Sequence, residues 1–145
     1  MIALIQRVSE ARVRVAGRTV GEIGPGVLAL IGVQREDAEA DAERLLERIA
    51  GYRIFPDEAG RMNRSLADVA GGLLLVPQFT LAADTRKGSR AGFQTAAEPG
   101  RARVLFEHLL GRARAALPRV ASGEFGAEMQ VSLTNEGPVT FWLQS

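Results

Sequence analysis

The chain has 145 residues, of which 46% are hydrophobic and 24% charged, with a formal net charge of +1. These values are typical of one soluble globular domain, so we expect a single domain over residues 1–145. The absence of cysteine excludes disulfide frameworks, thiolate nucleophiles, Cys-ligated zinc and iron–sulfur clusters, and the one histidine, His108, excludes a His-rich metal site. No apolar stretch has the length of a signal peptide or the ~18 residues of a membrane span, so we expect a cytoplasmic protein with no membrane partner.

Residues 2–23 predict two strands joined by a tight turn. Apolar residues alternate along residues 2–15, but their phase slips from even to odd positions, and this slip predicts a bulge near Ser9–Glu10. Ala16-Gly17 is typical of a tight turn, and it leads into a second predicted strand at Arg18–Ile23.

A turn, a buried strand and a helix are predicted next. Gly24-Pro25-Gly26 has the residue types of a type II turn, in which glycine supplies a positive φ. The almost wholly apolar run Val27–Val33 predicts a strand buried on both faces. Asp37 has the residue type of an N-cap, and the apolar stripe that follows it predicts a helix over about residues 38–50 that Gly51 closes.

Two short strands and a second helix are predicted beyond this point. The strands are expected at Tyr52–Phe55 and Leu73–Val76, and Pro77 indicates that the ladder of the second stops there or lies at a sheet edge. Pro99 suits the first turn of a helix, which we expect to end before Pro118.

Two closing strands complete the pattern that defines the fold class. Alternating apolar residues predict strands around residues 129–133 and 139–143, with Asn135-Glu136-Gly137-Pro138 between them. Predicted strands outnumber helices by about seven to two, and most connections are short enough for antiparallel pairing. We therefore predict an α+β fold, a mainly antiparallel β-barrel-like sheet with two packed helices.

Basic residues are concentrated in one stretch of the chain. Between Asp84 and Arg119 eight basic residues stand against three acidic ones, and nearly all of the basic ones are arginines. The polar loop at residues 82–92 contributes three of these cations: Arg86, Lys87 and Arg90. Arginine can donate to two phosphate oxygens at once, so the stretch indicates either a phosphate-bearing partner or an arginine-rich solvated surface.

Several familiar catalytic sites are absent. The chain has no Walker A phosphate loop, no Gly-x-Gly-x-x-Gly turn after a strand and no Gly-x-Ser-x-Gly elbow. His108 lies mid-helix beside Glu107, where a solvated or helix-packing role is expected rather than catalysis. The acidic residues Glu36, Asp37 and Asp41 stand at a helix start, where the helix dipole explains them without a metal.

The first candidate functional segment is Pro77-Gln78-Phe79-Thr80-Leu81, at the end of a buried strand. A strand end places Gln78 and Thr80 on one side and Phe79 on the other. Backbone N–H groups that leave a sheet at such a point are the usual donors of an oxyanion hole. The alternative is that Phe79 and Leu81 belong to the core and Thr80 caps a turn.

The second candidate segment is Gly137-Pro138. An ordinary hairpin turn explains it, and only about 5–6% of X–Pro bonds in folded proteins are cis. The sequence by itself leaves the isomer of this bond open.

Together these segments resemble the D-aminoacyl-tRNA deacylase family. That family carries Ser-Gln-Phe-Thr-Leu and Asn-x-Gly-Pro-Val-Thr motifs, which stand here as Pro77-Gln78-Phe79-Thr80-Leu81 and Asn135-Glu136-Gly137-Pro138-Val139-Thr140. Further matching segments occur in the family's order along the whole chain: Gln6-Arg7-Val8, Gly21-Glu22-Ile23-Gly24-Pro25-Gly26, Arg53-Ile54-Phe55, Met62-Asn63, Ala83-Asp84-Thr85-Arg86-Lys87-Gly88 and Phe125-Gly126-Ala127 with Met129.

The resemblance implies a homodimer with two sites at the subunit interface and a role in chiral proofreading during translation. It implies hydrolysis of the ester between a D-amino acid and the 3′-terminal adenosine of tRNA, rejection of L-aminoacyl-tRNA, and removal of glycine mischarged on tRNA. It implies no metal and no organic cofactor, and it names tRNA and a second copy of the chain as partners, without DNA.

The resemblance also implies roles for individual residues. Gln78, Phe79 and Thr80 would line the pocket for the aminoacyl-adenosine, and Met129 would pack at its rim. Their phosphate-binding chemistry, not the resemblance, makes the loop cations Arg86, Lys87 and Arg90 the candidate contacts to tRNA.

Gly137 and Pro138 would form a cis pair that reaches into the partner subunit's site. Their carbonyl oxygens would exclude the side chain of an L-amino acid, and Arg7 would brace the segment. Such a clash against the wrong substrate is one physical route to specificity.

One residue departs from the family pattern, and two other functions stay open. Pro77 replaces the motif's serine, which removes a hydroxyl and a backbone N–H, although the expected oxyanion donors come later in the chain. An esterase for small esters with Thr80 as nucleophile is one alternative. A non-catalytic RNA-binding protein, supported by the basic stretch alone, is the other.

Overall fold

The chain forms eight strands and three helices in this computed structural model, which describes residues 1–145 throughout. The strands are β1 (Ile2–Val15), β2 (Arg18–Ile23), β3 (Gly26–Gly32), β4 (Arg53–Pro56), β5 (Met62–Ser65), β6 (Gly72–Pro77), β7 (Val120–Ser122) and β8 (Gln130–Gln144). The helices are α1 (Glu39–Gly51), α2 (Leu66–Val69) and α3 (Pro99–Ala116), and a single 3-10 turn spans Phe79–Ala82.

Six strands form one mixed sheet in the order β2-β1-β3-β6-β7, and β8 pairs with β1 as a branch. The pairs of β1 with β2, β3 and β8 are antiparallel, whereas β3–β6 and β6–β7 are parallel. The prediction of a mainly antiparallel sheet was therefore wrong for its β3–β6–β7 half. The reason is that two connections are long crossovers containing α1 and α3, and a crossover of that length joins parallel strands.

The sheet curls into a nearly closed barrel. A Cβ atom on Gly21 of β2 would lie 2.5 Å from the carbonyl oxygen of Ser122 in β7, so the two ends of the sheet approach closely. Apolar side chains fill the interior, with these residues buried: Val8, Ala11, Val13, Leu28, Leu74 and Val76. The barrel-like part of the prediction holds.

The two long helices cover the outer face of the sheet. Their buried residues pack on sheet residues such as Ala29, Ile31 and Leu75. Both helices begin and end within about two residues of the predicted positions. His108 of α3 bonds Glu43 of α1 across 3.1 Å, which is the helix-packing role expected for it. No helix combines the length and apolar character needed to cross a bilayer.

Two local predictions were wrong. Gly26 has no positive φ; a Cβ atom there would meet the carbonyl oxygen of Gly72 at 1.9 Å, so close strand approach, not turn geometry, requires glycine. Asp37 does not cap α1. Its carboxylate accepts hydrogen bonds from the amino group of Met1 (2.7 Å) and from the N–H of Gln34 (2.6 Å). At the start of the helix it is the Asp41 carboxylate that accepts a hydrogen bond, from the N–H of Ala38.

The two predicted closing strands are one strand, β8, which pairs with β1 along both halves. Register shifts interrupt this pairing between Gln6 and Glu10 of β1, which confirms the bulge expected near Ser9–Glu10. The Gly137–Pro138 bond is cis, and it lies within β8, not in a hairpin turn. Three elements were not predicted, namely β5, β7 and α2.

Candidate functional site

A cavity of about 460 Å³ opens where β6 ends. Four separated parts of the chain line it: the end of β3 with Val33, the end of β6 with the residues that follow, residues 97–106, and residues 125–131. Most of the lining is apolar, with Pro77, Gln78, Phe79, Phe106, Phe125 and Met129 among its residues. A concave, mainly apolar cavity with a few polar groups is the usual form of a small-molecule site.

The chain leaves the sheet after β6, and Gln78 and Phe79 of this segment line the cavity, whereas Thr80 does not. Pro77 is the last residue of β6, which lies between β3 and β7, so the ladder stops there at a central strand. The N–H of Gln78 still donates to the carbonyl oxygen of Ile31 (2.7 Å), and the chain then enters the 3-10 turn. Phe79 and Thr80 stand first in that turn, where an N–H group has no carbonyl of the same turn to bond. Phe79 is 62% exposed, which excludes the interpretation that it belongs to the core.

Gln78 and Thr80 contact each other, as expected for side chains on one side of the chain. The amide Nε2 of Gln78 donates to the hydroxyl oxygen of Thr80. An amide donor cannot accept a proton from this hydroxyl, and the only histidine of the chain is bonded to Glu43 between the helices. The site therefore lacks the base that would activate Thr80 as a nucleophile.

The opposite wall is the loop between β7 and β8. The thioether sulfur of Met129 accepts the N–H of Glu124 (3.4 Å), and a Cβ atom on Gly123 would lie 2.7 Å from this sulfur. Phe125 packs between Phe106 (ring centroids 6.2 Å apart) and the guanidinium of Arg103 (4.9 Å from the ring centroid). Sequence reasoning assigned no role to Phe106, Gly123 or Arg103; they became visible only when α3 was placed beside this loop.

Gly137, Pro138 and Arg7 form a separate group that does not line the cavity of the same chain. The Arg7 guanidinium donates from Nε to the carbonyl oxygen of Glu136 (2.9 Å) and from a terminal nitrogen to that of Ile54 (2.6 Å). Asn135 accepts the N–H of Val139 (2.7 Å) and donates to Thr140, so the exposed Gly137–Pro138 segment is held from both sides.

The three loop cations lie together around a hollow of about 480 Å³. Asp84 receives two side-chain hydrogen bonds from Arg86, at 2.9 and 2.7 Å, and one from the Arg86 N–H at 3.1 Å. The side-chain bonds of Arg86, and then its backbone N–H, lower the pKa of Asp84 from 3.8 to about 2. Lys87 and Arg90 also line this hollow and form no ion pair.

Comparisons with known proteins agree along the full chain. A family model described as D-Tyr-tRNA(Tyr) deacylase matches residues 4–144. The D-aminoacyl-tRNA deacylase of Thioalkalivibrio sulfidiphilus is 72% identical over 99% of this chain and 97% of its own length. That of Alkalilimnicola ehrlichii is 67% identical over 100% of this chain and 97% of its own.

Two solved structures are also similar. A c-Myc DNA Unwinding Element Binding Protein superposes with a TM-score of 0.96 and 35% identity, covering 100% of this chain and 99% of its own. A probable eukaryotic D-amino acid tRNA deacylase superposes with a TM-score of 0.86 and 18% identity over 99% and 98% of the two chains, which shows a shared fold.

Proposed function

This chain belongs to the D-Tyr-tRNA(Tyr) deacylase family and is a D-aminoacyl-tRNA deacylase. From this premise we propose that it cleaves the ester between the amino acid and the tRNA in the cavity at the end of β6. The observation that carries this proposal is the meeting, at one strand end, of a 3-10 turn whose first N–H groups have no partner within the turn, the Gln78–Thr80 pair and an apolar cavity. The terminal aminoacyl-adenosine occupies the cavity, contacting Gln78, Phe79 and Thr80, and Met129 packs at its rim.

The reaction is attack of water on an ester that is already activated. A bond forms between the water oxygen and the carbonyl carbon, and the N–H groups of Phe79 and Thr80 stabilise the negative charge that develops on the carbonyl oxygen. The bond to the ribose 3′-oxygen then breaks, and that oxygen takes up the proton released by water. Loss of one such donor in proteases costs roughly 10²–10³ in rate.

The terminal ribose carries a 2′-hydroxyl next to the ester, and it assists the proton transfer for which the protein has no base. Pro77 leaves this machinery intact because its missing N–H lies before the donors. The reaction written this way requires neither a metal nor an organic cofactor, so it proceeds in the presence of EDTA.

Chiral selection comes from the Gly137–Pro138 segment of a second subunit, in a homodimer with two interface sites. The support is geometric: the segment is exposed, braced by Arg7 and Asn135, and lies away from the cavity of its own chain. Its carbonyl oxygens occupy the space that an L side chain would need. Glycine has no side chain to exclude, so glycyl-tRNA is hydrolysed as well.

The basic loop contacts the phosphate backbone of tRNA through Arg86, Lys87 and Arg90. Lys87 and Arg90 have no carboxylate partner to compete with phosphate. The affinity for tRNA should therefore fall as salt rises. Because the substrate takes part in translation, we expect the enzyme to act in the cytoplasm.

The proposal is tested by measuring the release of amino acid from matched D- and L-aminoacyl-tRNA in the presence of EDTA. We expect release from the D substrate and from glycyl-tRNA but not from the L substrate. Equal release from D and L would show that Gly137–Pro138 is not the selective element. Release from neither, unchanged after a Pro77→Ser substitution, would overturn the proposed chemistry of the cavity.

A Thr80→Ala variant tests the alternative of covalent catalysis. Because Thr80 contacts no base, we expect the variant to lose only one neutral hydrogen bond and to retain deacylation at a rate reduced by about tenfold or less. Complete loss of activity in a folded variant would favour Thr80 as the nucleophile.

A further inference from the structure

Two exposed aromatic rings lie in contact at the mouth of the cavity. The centroids of Phe79 and Phe93 are 5.2 Å apart, and their planes meet at 41°. Phe79 is 62% exposed and Phe93 is 44% exposed, although burial of such rings is strongly favourable. Phe79 lines the cavity and Phe93 does not, so Phe93 extends the apolar surface outward from the site.

The backbone holds Phe93 in this position. Gly92, its neighbour, exchanges two hydrogen bonds with Asp84, at 2.8 and 3.0 Å. On the other side of Phe93, the hydroxyl of Thr95 donates a hydrogen bond to the carbonyl oxygen of Ala82 (2.6 Å). The N–H of Ala96 donates to the carbonyl oxygen of Phe93 itself (3.1 Å). The ring pair is therefore a prearranged surface and not the mobile tip of a loop.

The hollow described above begins directly beside this ring pair. Gly92 lines it, and a Cβ atom there would lie 2.5 Å from the amide oxygen of Gln94, so glycine leaves room for that amide. None of the six lining residues is hydrophobic, and the cations Lys87 and Arg90 form no ion pair. An aromatic surface next to unneutralised cations is the combination that proteins use to bind single-stranded nucleic acid.

We propose that Phe93, together with Phe79 and the basic hollow, binds the nucleotide that precedes the terminal adenosine of the substrate. The base of that nucleotide stacks on the Phe93 ring, and its phosphates contact Lys87 and Arg90. This inference rests on the proposed function, because it takes the terminal adenosine to occupy the cavity. Phe79 lines the cavity and contacts Phe93, and Gly92 next to Phe93 lines the hollow, so a nucleotide chain leaving the cavity meets Phe93 and then the hollow.

A comparison of two non-hydrolysable ligands tests the proposal. One is 3′-deoxy-3′-(D-alanylamino)adenosine, and the other is the same molecule extended at its 5′ end by a cytidylyl group. We expect the extension to tighten binding to the wild-type protein by about tenfold, the order measured for one stacked base. Phe93→Ala should abolish most of this gain and change the affinity for the shorter ligand by less than about twofold.

Matched variants separate stacking from other effects. Phe93→Tyr keeps a ring and should keep the gain, whereas Phe93→Leu keeps apolar bulk and should lose it. Lys87→Gln should reduce both the gain and its salt dependence. Met62→Ala, an exposed apolar residue on the β4–β5 hairpin, should change nothing.

Several results would overturn the proposal. One is that the wild-type protein binds the extended ligand no more tightly than the shorter one. Another is that Phe93→Ala weakens the binding of both ligands equally. A third is a changed oligomeric state in Phe93→Ala, which would assign the ring to a contact between copies of the chain. Failure of the shorter ligand to bind the wild-type protein would instead contradict the proposed function. The two failures are therefore distinguishable.

Discussion

At the scale of single residues, the cavity wall depends on a glycine that does not itself line the cavity. Gly123 lies under the sulfur of Met129, and it also borders Pro77, whose Cδ would be 3.4 Å from an added Cβ. Met129 can reach the rim only because nothing projects from position 123. The same side chain is fixed by the N–H of Glu124, so its place is set by two backbone features of one loop.

A Gly123→Ala substitution should therefore displace Met129. Overpacking of this kind costs about 1–3 kcal/mol, and because a thioether can swing aside, we expect the cost to appear as a raised KM for D-aminoacyl-tRNA more than as a loss of stability. Steady-state kinetics and thermal denaturation measure the two effects.

Gly111→Ala is the matched control for this change. Position 111 lies within α3, and an added Cβ meets no atom within 4 Å. We expect an unchanged KM and a free energy of unfolding raised by about 0.5–1 kcal/mol. An unchanged KM in Gly123→Ala as well would show that Met129 does not contact substrate.

At the scale of elements, the basic loop is organised by an ion pair. The pKa of Asp84 in the folded protein is lowered to about 2, below the 3.8 expected in the unfolded chain. Its pairing with Arg86 therefore stabilises the loop fully at pH values above about 3.8, and this stabilisation is lost as the pH falls through about 2. At neutral pH the pair is fully formed. Arg86 is thereby held at the edge of the hollow beside the two cations that lack a partner.

An NMR titration of the Asp84 carboxyl carbon should give a midpoint near 2. Arg86→Gln should move the midpoint toward 3.8 without reaching it, because the backbone N–H of residue 86 still donates to Asp84. The pKa of Asp57 is lowered mainly by the N–H of Arg61, so its titration should not change. A midpoint near 3.8 in the unsubstituted protein would mean that the ion pair does not form in solution.

The parallel pair β3–β6 depends on a close backbone approach. Gly26→Ala places a Cβ atom 1.9 Å from the carbonyl oxygen of Gly72, which cannot move aside as a side chain would. We expect the free energy of unfolding to fall by about 3 kcal/mol or more. Gly24→Ala, two residues earlier and with no atom within 4 Å, is the control. Equal denaturation midpoints for the two variants would contradict the β3–β6 register.

At the scale of the whole molecule, the proposed site needs two chains. Gln78 lines the cavity of its own chain, whereas Gly137 does not. Gly137 has a φ of +139°, and a Cβ atom added there would lie 2.7 Å from the Val139 side chain, so alanine does not fit at this position. In the proposed dimer, Gln78→Ala should damage one half of each site and Gly137→Ala the other half.

Co-expression of these two variants with different tags tests the shared site. In a random mixture half of the dimers are mixed, and in each mixed dimer one site carries both substitutions while the other has both halves intact. Gly137→Ala alone should release amino acid from both D- and L-aminoacyl-tRNA, because the segment only excludes L substrates, so release from the L substrate should fall in the mixture to about a quarter of the Gly137→Ala value. Release from the L substrate at about half of that value would place the whole site within one chain. Light scattering on the mixture checks that dimers form.

Much of the fold was predictable because its signals are local. The helices α1 and α3 follow from apolar stripes and flanking glycine and proline residues, and the end of β6 follows from Pro77. Of the β4–β5 hairpin only β4 was predicted, and α2 was not predicted. Their short segments, such as Met62–Ser65, are largely exposed, and an exposed strand has no apolar alternation to show.

The sequence by itself determined the family, through motifs in a fixed order, and with it the deacylase activity. It also determined where the chain leaves the sheet, because proline and glycine act on their own backbone. Only the tertiary structure decided that β3, β6 and β7 run parallel, that β8 is one strand, and that α3 and the β7–β8 loop complete the cavity. These features arise from contacts between residues far apart in the chain, which no local pattern encodes.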